Sequence, residues 1–307
     1  MEPIPVFPQF REIELKDKKL FDDYFKLMQP EISEFTFANL YIWRKILQIK
    51  ISLLYENVCI QMVDYHGRRI FPPFVGGQLL KASIDSCLNL AKRDWEDVVF
   101  GLFPQDQLEI FKLYYPTAEI TMDRDASDYV YKTSDLISLR GKKYDGKRNH
   151  IKRFKKEHAY TYNKLESKHL DGCHLLLEKW YHAHCDHWEC SLSLKSETEA
   201  CRDALANFKA LELQGGVIVI DKEVVAFSLG ERLNKNTAVV HFEKADPDYP
   251  GLPSVINNEY VINEWADVAY LNREEDLGET GLRAAKLSYN PAFLVDKYYI
   301  NFGGGLK

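Results

Sequence analysis

Apolar positions fall at helical and at strand spacing in alternation along the chain. Residues 12–50 read as helical, with Phe21, Tyr24, Phe25 and Met28 at helical spacing. Ser33–Leu40 then leads into an aromatic piece around Tyr41 and Trp43. Strands are predicted at about 48–55 and 58–64, the second ending in a turn at His66-Gly67. Phe71-Pro72-Pro73-Phe74 and Gly76-Gly77 punctuate the pattern. A helix near 78–93 has Leu79, Leu80, Ile84, Leu88 and Leu90 as its apolar set. A strand at 97–103, a helix at 105–114 and a strand at 117–122 follow, and residues 123–142 read as the connection to a second half.

That half opens with a strongly basic helix at 143–157, a strand at 159–164 and helices at 168–184 and 196–211. Strands 214–221, 223–232 and 236–243 form an antiparallel meander joined by Asp221-Lys222 and Asn234-Lys235-Asn236. Helix 253–266, strand 268–272, helix 280–288 and a strand near 294–302 complete it. Two helices, three antiparallel strands, then helix, strand, helix, strand is the order of a GNAT-type N-acyltransferase fold. In that fold the acyl donor sits where two neighbouring strands splay apart, here 236–243 and 268–272. Both halves mix helices and strands in similar order. The expected class is therefore α+β, with two tandem GNAT-like domains of mixed sheet flanked by helices, at 1–135 and 136–307.

Composition narrows the function classes. A chain of 307 residues suits about two domains. A formal net charge of −6 excludes a globally basic nucleic-acid binder and leaves room for a local basic patch. No apolar run approaches the roughly 20 residues of a membrane span, and no signal peptide is visible at Met1-Glu2-Pro3-Ile4-Pro5. Six irregularly spaced cysteines read as reduced thiols of a cytoplasmic protein.

Four stretches can carry chemistry. In His241–Asp246, followed by Tyr249–Pro253, the carboxylates Glu243 and Asp246 stand where a strand stops and a helix begins. They can take a proton from an attacking amine or hydroxyl, hold a cationic amino group, or serve as a solvated strand end with helix caps. Tyr270–Pro291 is a short strand, a dense polar turn and a helix start. Asn272, Arg273 and Glu275 crowd beside the strand, and Gly278 lets backbone approach a ligand. Arg283 and Lys286, three residues apart, suit a negatively charged donor or a tetrahedral intermediate, and also suit plain helix-dipole design.

Of the seventeen residues Arg140–Lys156, nine are Lys or Arg and one is Asp. Lys142, Lys143, Lys147, Arg148, Lys152 and Arg153 form a candidate phosphate-binding patch, with a solvated basic face as the plain alternative. Finally, His184, Cys185, His187 and Cys190 invite a metal reading. No CxxC and no second ligand pair supports it, so no metal is expected. A Walker loop, a nucleotide-fold glycine fingerprint and a Gly-x-Ser-x-Gly elbow are also absent from the sequence.

Ser33–Trp43, Lys143–Phe154, Phe242–Asp246 with Gly251, and above all Asn272–Pro291, with its Asn-Arg-Glu-Glu-Asp-Leu-Gly and Leu-Arg-x-Ala-Lys-x-Ser-Tyr-x-Pro runs, resemble a known family. It is the bacterial family named for the C-terminal domain of phosphatidylglycerol lysyltransferase, in its stand-alone branch. The resemblance covers nearly the whole chain. It implies two tandem GNAT-like domains, a plan shared with Fem-type aminoacyltransferases. It also implies transfer of an aminoacyl group from aminoacyl-tRNA to a lipid hydroxyl or an amine. Those families lack the coenzyme A pyrophosphate loop, and Lys244–Ser254 here has only Gly251 where that loop would need several glycines.

The expected protein is thus a cytoplasmic aminoacyl-tRNA-dependent transferase without a bound cofactor, with a place at the inner membrane face left open. Lys286 would stabilise the oxyanion, and Glu243 or Asp246 would bind the donor amine or orient the acceptor. Asn272, Arg273, Glu275, Gly278, Arg283 and Tyr289 would shape the substrate site. An acyl-CoA-dependent N-acyltransferase and a non-catalytic RNA- or anion-binding protein are the alternatives.

Overall fold

The computed structural model describes residues 3–77, 80–94, 99–185 and 192–302. Leu79, the start of the strand expected at 97–103, and His187 and Cys190 lie outside these residues. The chain forms two compact units: 1–128 with 275–283 and 294–307, and 129–274 with 284–293.

The first unit contains β1 (Arg11–Glu12), α1 (Lys18–Met28), α2 (Phe37–Trp43), β2 (Lys50–Leu54), β3 (Asn57–Val63), β4 (Arg69–Phe71) and β5 (Val75–Gly76). It continues through α3 (Lys81–Asp94), β6 (Val99–Pro104), α4 (Glu109–Tyr114) and most of β7 (Glu119–Lys132). The expected helical stretch 12–50 is two helices. Gln29, left-handed at φ 50°, ends α1, and Thr36 caps α2 by accepting from the amide of Asn39 (3.1 Å).

The second unit contains α5 (Thr133–Ser138), α6 (Asp145–Glu157), β8 (Thr161–Lys164), α7 (Leu170–His184), α8 (Leu192–Ala206), β9 (Gln214–Ile220), β10 (Glu223–Asn234) and β11 (Thr237–Ala245). Then come α9 (Leu252–Glu264) and β12 (Tyr270–Asn272); α10 (Thr280–Leu287) is divided between the units after Arg283, and β13 (Phe293–Asn301) belongs to the first unit from Leu294 onward. Residues 123–142 are not a simple connection, because β7 runs through to Lys132 and α5 follows it.

Both units follow one plan. Three antiparallel strands lead through a helix to a strand that pairs in parallel with the third: β2-β3-β4, α3 and β6 in one, β9-β10-β11, α9 and β12 in the other. Each sheet then gains an antiparallel strand from far away in sequence. In the first unit β13 pairs with β6, and Ile300 joins the core of Phe71, Phe100, Phe103 and Phe111. In the second unit the end of β7 pairs with β12, Tyr131 opposite Leu271.

One irregularity shapes the second unit. In the β10–β11 ladder Leu229 opposes Phe242 and Gly230 opposes Val240, so His241 is an inserted residue, a β-bulge that bends β11. A Cβ on Gly230 would lie 2.1 Å from the Val239 carbonyl oxygen, so the bulge requires glycine opposite it. Gly230→Ala is expected to destabilise the protein by about 1–3 kcal/mol, read as a lower urea midpoint. An unchanged midpoint would contradict this account of the bulge.

Candidate functional site

β11 and β12 pair only from Thr237 to Val239 and from Tyr270 to Asn272. Beyond Asn272 the chain stays with β7: the Arg273 amide donates to the Tyr129 carbonyl (2.9 Å) and the Tyr129 amide to the Glu274 carbonyl (3.1 Å). β11 meanwhile continues, bent at His241, to Ala245. The strands part, and side chains bridge the opening where backbone amides do not. Arg273 Nη2 donates to Glu243 Oε1 (3.2 Å), and His241 Nδ1 lies 2.8 Å from Glu274 Oε1.

His241 Nε2 lies 2.9 Å from Glu231 Oε1 on the other side, and the imidazole is 1% exposed. Burial works against its charge, but the hydrogen bonds to Glu231 and Glu274 outweigh it and raise the pKa to about 9. At neutral pH an imidazolium therefore donates to both carboxylates. Asn272, fully buried, accepts from the Glu274 amide (2.8 Å) and supports that residue's left-handed turn at φ 58°.

At the end of β11 lies a half-open cleft of about 270 Å³. Glu243 and Asp246 line it, with Trp180 and His184 from α7 and Tyr249 and Pro253 from the turn into α9. Trp180 and His184 stack at 4.2 Å, and the ammonium of buried Lys244 sits 3.4 Å from the Trp180 ring centre and 2.6 Å from Glu197. Both lining carboxylates are fixed. Glu243 also accepts from Asn257 Nδ2 (3.0 Å), and Asp246 accepts from Lys179 (2.6 Å) and from the Asp248 amide (3.0 Å).

The turn into α9 is closed to anions. Gly251 has φ 90°, and a Cβ there would lie 3.1 Å from the His150 carbonyl oxygen, so glycine lets α6 approach the start of α9. The Leu252 amide donates to Tyr249, those of Ser254 and Val255 donate to Gly251, and residue 253 is a proline. Residues 252–255 thus offer no spare N–H for a phosphate.

Behind Glu243 the buried Tyr289 ring receives Lys147 Nζ at 3.9 Å and the Arg273 guanidinium at 5.0 Å from its centre. Burial, then the charge of Glu243, pushes the Tyr289 phenol up to about 12. Burial opposes the charge of Arg273, and Glu243 more than restores it, raising that pKa. Lys286, 8% exposed, donates to the Arg273 carbonyl (2.7 Å), while its own carbonyl accepts from Tyr131 (2.8 Å).

The second unit therefore gathers Glu243, Arg273, Lys286, Tyr289 and Lys147 around the parted strands, with Asn272 beneath them and Asp246 along the cleft. Glu275, Gly278 and Arg283 belong to the first unit. There the Arg283 guanidinium bonds both oxygens of Asp276 (2.8 and 2.6 Å) and one of Asp125 (2.6 Å), so its charge is met. Gly278, at φ 77°, donates to Asp276 (2.9 Å), and Glu275 lies 3.6 Å from Lys297.

On the basic stretch, Lys142, Lys143, Arg148, Lys152 and Arg153 are exposed. Arg148 turns back onto Leu139, Gly141 and Asp145, Arg153 pairs with Glu157 (2.9 Å), and Lys143 lies 3.6 Å from Asp135. Sequence reasoning missed Asn257 and the partners of His241, Glu231 and Glu274. Asn257 and Glu231 carry no local motif, since helix packing and strand register bring them in; Glu274 stands in the Asn-Arg-Glu-Glu-Asp-Leu-Gly run, which shows nothing of its bond to His241. Cys59, Cys87, Cys173 and Cys201 are free and buried, but Cys185 is disulfide-bonded, which corrects the expectation of reduced thiols throughout. Among the described residues no group of three or more His, Cys, Asp or Glu is placed to hold a metal, and no helix is long and apolar enough to cross a membrane.

The repeated strand–helix–strand plan and the parted strands define a fold of the GNAT-type acyltransferase class. Residues 25–301 match the family described as phosphatidylglycerol lysyltransferase, C-terminal, and the chain belongs to that family. It is similar to a conserved protein of unknown function from Bacteroides thetaiotaomicron, at 30% identity and TM-score 0.87, over 96% of this chain and 99% of that one. It also shares its fold with the C-terminal domain (DUF2156) assigned to a lysylphosphatidylglycerol synthetase from Agrobacterium fabrum, at 12% identity and TM-score 0.65, covering 94% and 92%. FemX has the fold too, at 8% identity and TM-score 0.57, covering 95% and 96%.

The His241 bridge has a pH signature. A pKa raised above the free-imidazole value of about 6.5 contributes stability that is complete below that value and is lost as pH rises through about 9. Wild type should exceed His241→Asn by on the order of 3 kcal/mol near pH 6, and the gap should close by pH 10 in urea unfolding. A gap that stays constant with pH would contradict the charged bridge.

Proposed function

We propose that this protein transfers an aminoacyl group from aminoacyl-tRNA to a hydroxyl or amine acceptor, within the second unit. The observation that carries the reading is the position of Glu243. It lines the cleft with Asp246 and is bonded at the same time to Arg273 across the parted strands and to Asn257 of α9. Two fixed carboxylates in a cleft that Trp180 and Tyr249 also line suit a small cationic group, such as the free ammonium of an aminoacyl ester.

In this reading Glu243 or Asp246 holds the donor's ammonium or orients the acceptor, and Arg273 faces the ester. Lys286, bonded to the Arg273 carbonyl, fixes that residue and adds positive charge where an oxyanion develops. The turn at 252–255, with its amides engaged, favours a donor other than a coenzyme A held by its pyrophosphate. The exposed cations of the basic stretch, Lys142 and Lys152 among them, suit the phosphates of the tRNA. The family's name, which gives a lysyltransferase, supports transfer of an aminoacyl group. Glu275 and Arg283 take a structural part in it through the first unit's own ion pairs, and Gly278 through its N–H to Asp276.

The test is loss of radiolabel from a pool of charged tRNAs, with lipid and small-amine extracts as acceptors. Wild type should move label into an extractable product. Glu243→Gln and Lys286→Ala, folded by circular dichroism, should lower transfer by about a hundredfold or more. Wild-type rates in both variants would overturn the residue assignments. No transfer by folded wild type, with tight coenzyme A binding, would overturn the donor.

A further inference from the structure

Lys147 differs from the other cations of the basic stretch. Lys142, Lys143, Arg148, Lys152 and Arg153 are exposed, whereas Lys147 is half-buried and turned inward from the first turn of α6. Its ammonium lies 3.9 Å from the centre of the Tyr289 ring, and no carboxylate stands within salt-bridge distance of it among the described residues. The same ring receives the Arg273 guanidinium at 5.0 Å.

Two cations therefore converge on one buried aromatic ring. The carboxylate beside them, Glu243, is already shared between Arg273 and Asn257. The next carboxylate along the cleft, Asp246, is paired with Lys179. This corner of the site thus carries positive charge that its own residues do not balance. An unbalanced ammonium held in a half-buried place is costly unless an anion joins it. Burial, and then the charge of Arg273, lower the pKa of Lys147, with Glu243 opposing, which is the strain that an added anion would relieve.

We propose that Lys147 and Arg273 form a site for one phosphate oxyanion of a nucleotide, over the Tyr289 ring and beside the Glu243 cleft. This rests on the transferase reading and deepens it. The cleft takes the ammonium of the donor and this corner takes a phosphate close to the ester. Lys147 is then a residue of the active site, and its neighbours on α6 follow the polynucleotide from outside. A lysine serves here as a compact charge that either a phosphodiester or a free phosphate can reach.

The probe is the dinucleotide cytidylyl-adenosine, which carries one phosphodiester, tested beside inorganic phosphate on the full chain. Lysines are dimethylated with labelled formaldehyde, and the Lys147 methyl resonance is assigned by its absence in Lys147→Met. Cytidylyl-adenosine should shift that resonance saturably and raise the pH at which it titrates, while the resonance of Lys222, in the β9–β10 turn, stays in place. Lys147→Met should weaken binding of the unlabelled dinucleotide at least tenfold, and Lys147→Arg should recover most of it.

A response to inorganic phosphate without one to the dinucleotide would overturn the nucleotide assignment. Equal dinucleotide affinity in wild type and Lys147→Met would overturn the site itself. Both readouts are independent of turnover. A failed transfer assay therefore leaves this result standing, and wild-type transfer by Lys147→Met would count against this proposal alone.

Discussion

The bulge at His241 is the constraint on which the second unit's site depends. One inserted residue bends β11, and the parallel ladder with β12 ends after three residue pairs. Regular pairing would have placed backbone amides between Glu243 and Arg273. The bend instead leaves an opening that Arg273–Glu243 and His241–Glu274 cross. Charged side chains can span a gap of varying width, whereas a β-ladder fixes strands about 5 Å apart. The site is therefore an interruption of the sheet, crossed by ion pairs, with the Tyr289 and Tyr131 rings near the Arg273 guanidinium and Asn272 bonded to the Glu274 amide.

The same economy of charge runs through the first unit for a different purpose. Lys297 is fully buried, 2.6 Å from Glu34 and 2.7 Å from Asp128, and Asp128 also accepts from the amide and hydroxyl of Ser33. Burial raises the Glu34 pKa to about 8 although Lys297 pulls it down. Such a cluster is weak evidence for stability, because desolvation offsets much of the attraction. Removing one partner would still leave a buried charge uncompensated. Arg283, with Asp276 and Asp125, is a more exposed version of the same device.

These clusters explain where the sequence was legible. The meander expected at 214–221, 223–232 and 236–243 lies at Gln214–Ile220, Glu223–Asn234 and Thr237–Ala245, because apolar runs such as Val217–Ile220 and turn pairs such as Asp221-Lys222 are local signals. The strand through Asp123, Arg124, Asp125 and Asp128 reads in sequence as part of a connection at 123–142. The groups that meet its charges, Tyr65, Arg283 and Lys297 among them, are far away in sequence. Glu243, Arg273 and Lys286 were visible as chemistry-bearing residues, but their mutual bonds were not. Arg283 and Lys147 show the limit most clearly. Equally plausible as surface or site cations, they are separated only by which carboxylates and rings the fold brings to them.

The proposed transfer requires this opening to receive the aminoacylated end of a tRNA. The most direct measurement is calorimetric titration of the protein with a non-hydrolysable aminoacyl-adenosine amide, repeated in the presence of coenzyme A. The account predicts saturable binding that Arg273→Met weakens and that coenzyme A leaves unchanged. Binding of coenzyme A to the wild-type protein, with no detectable affinity for the amide, would contradict it.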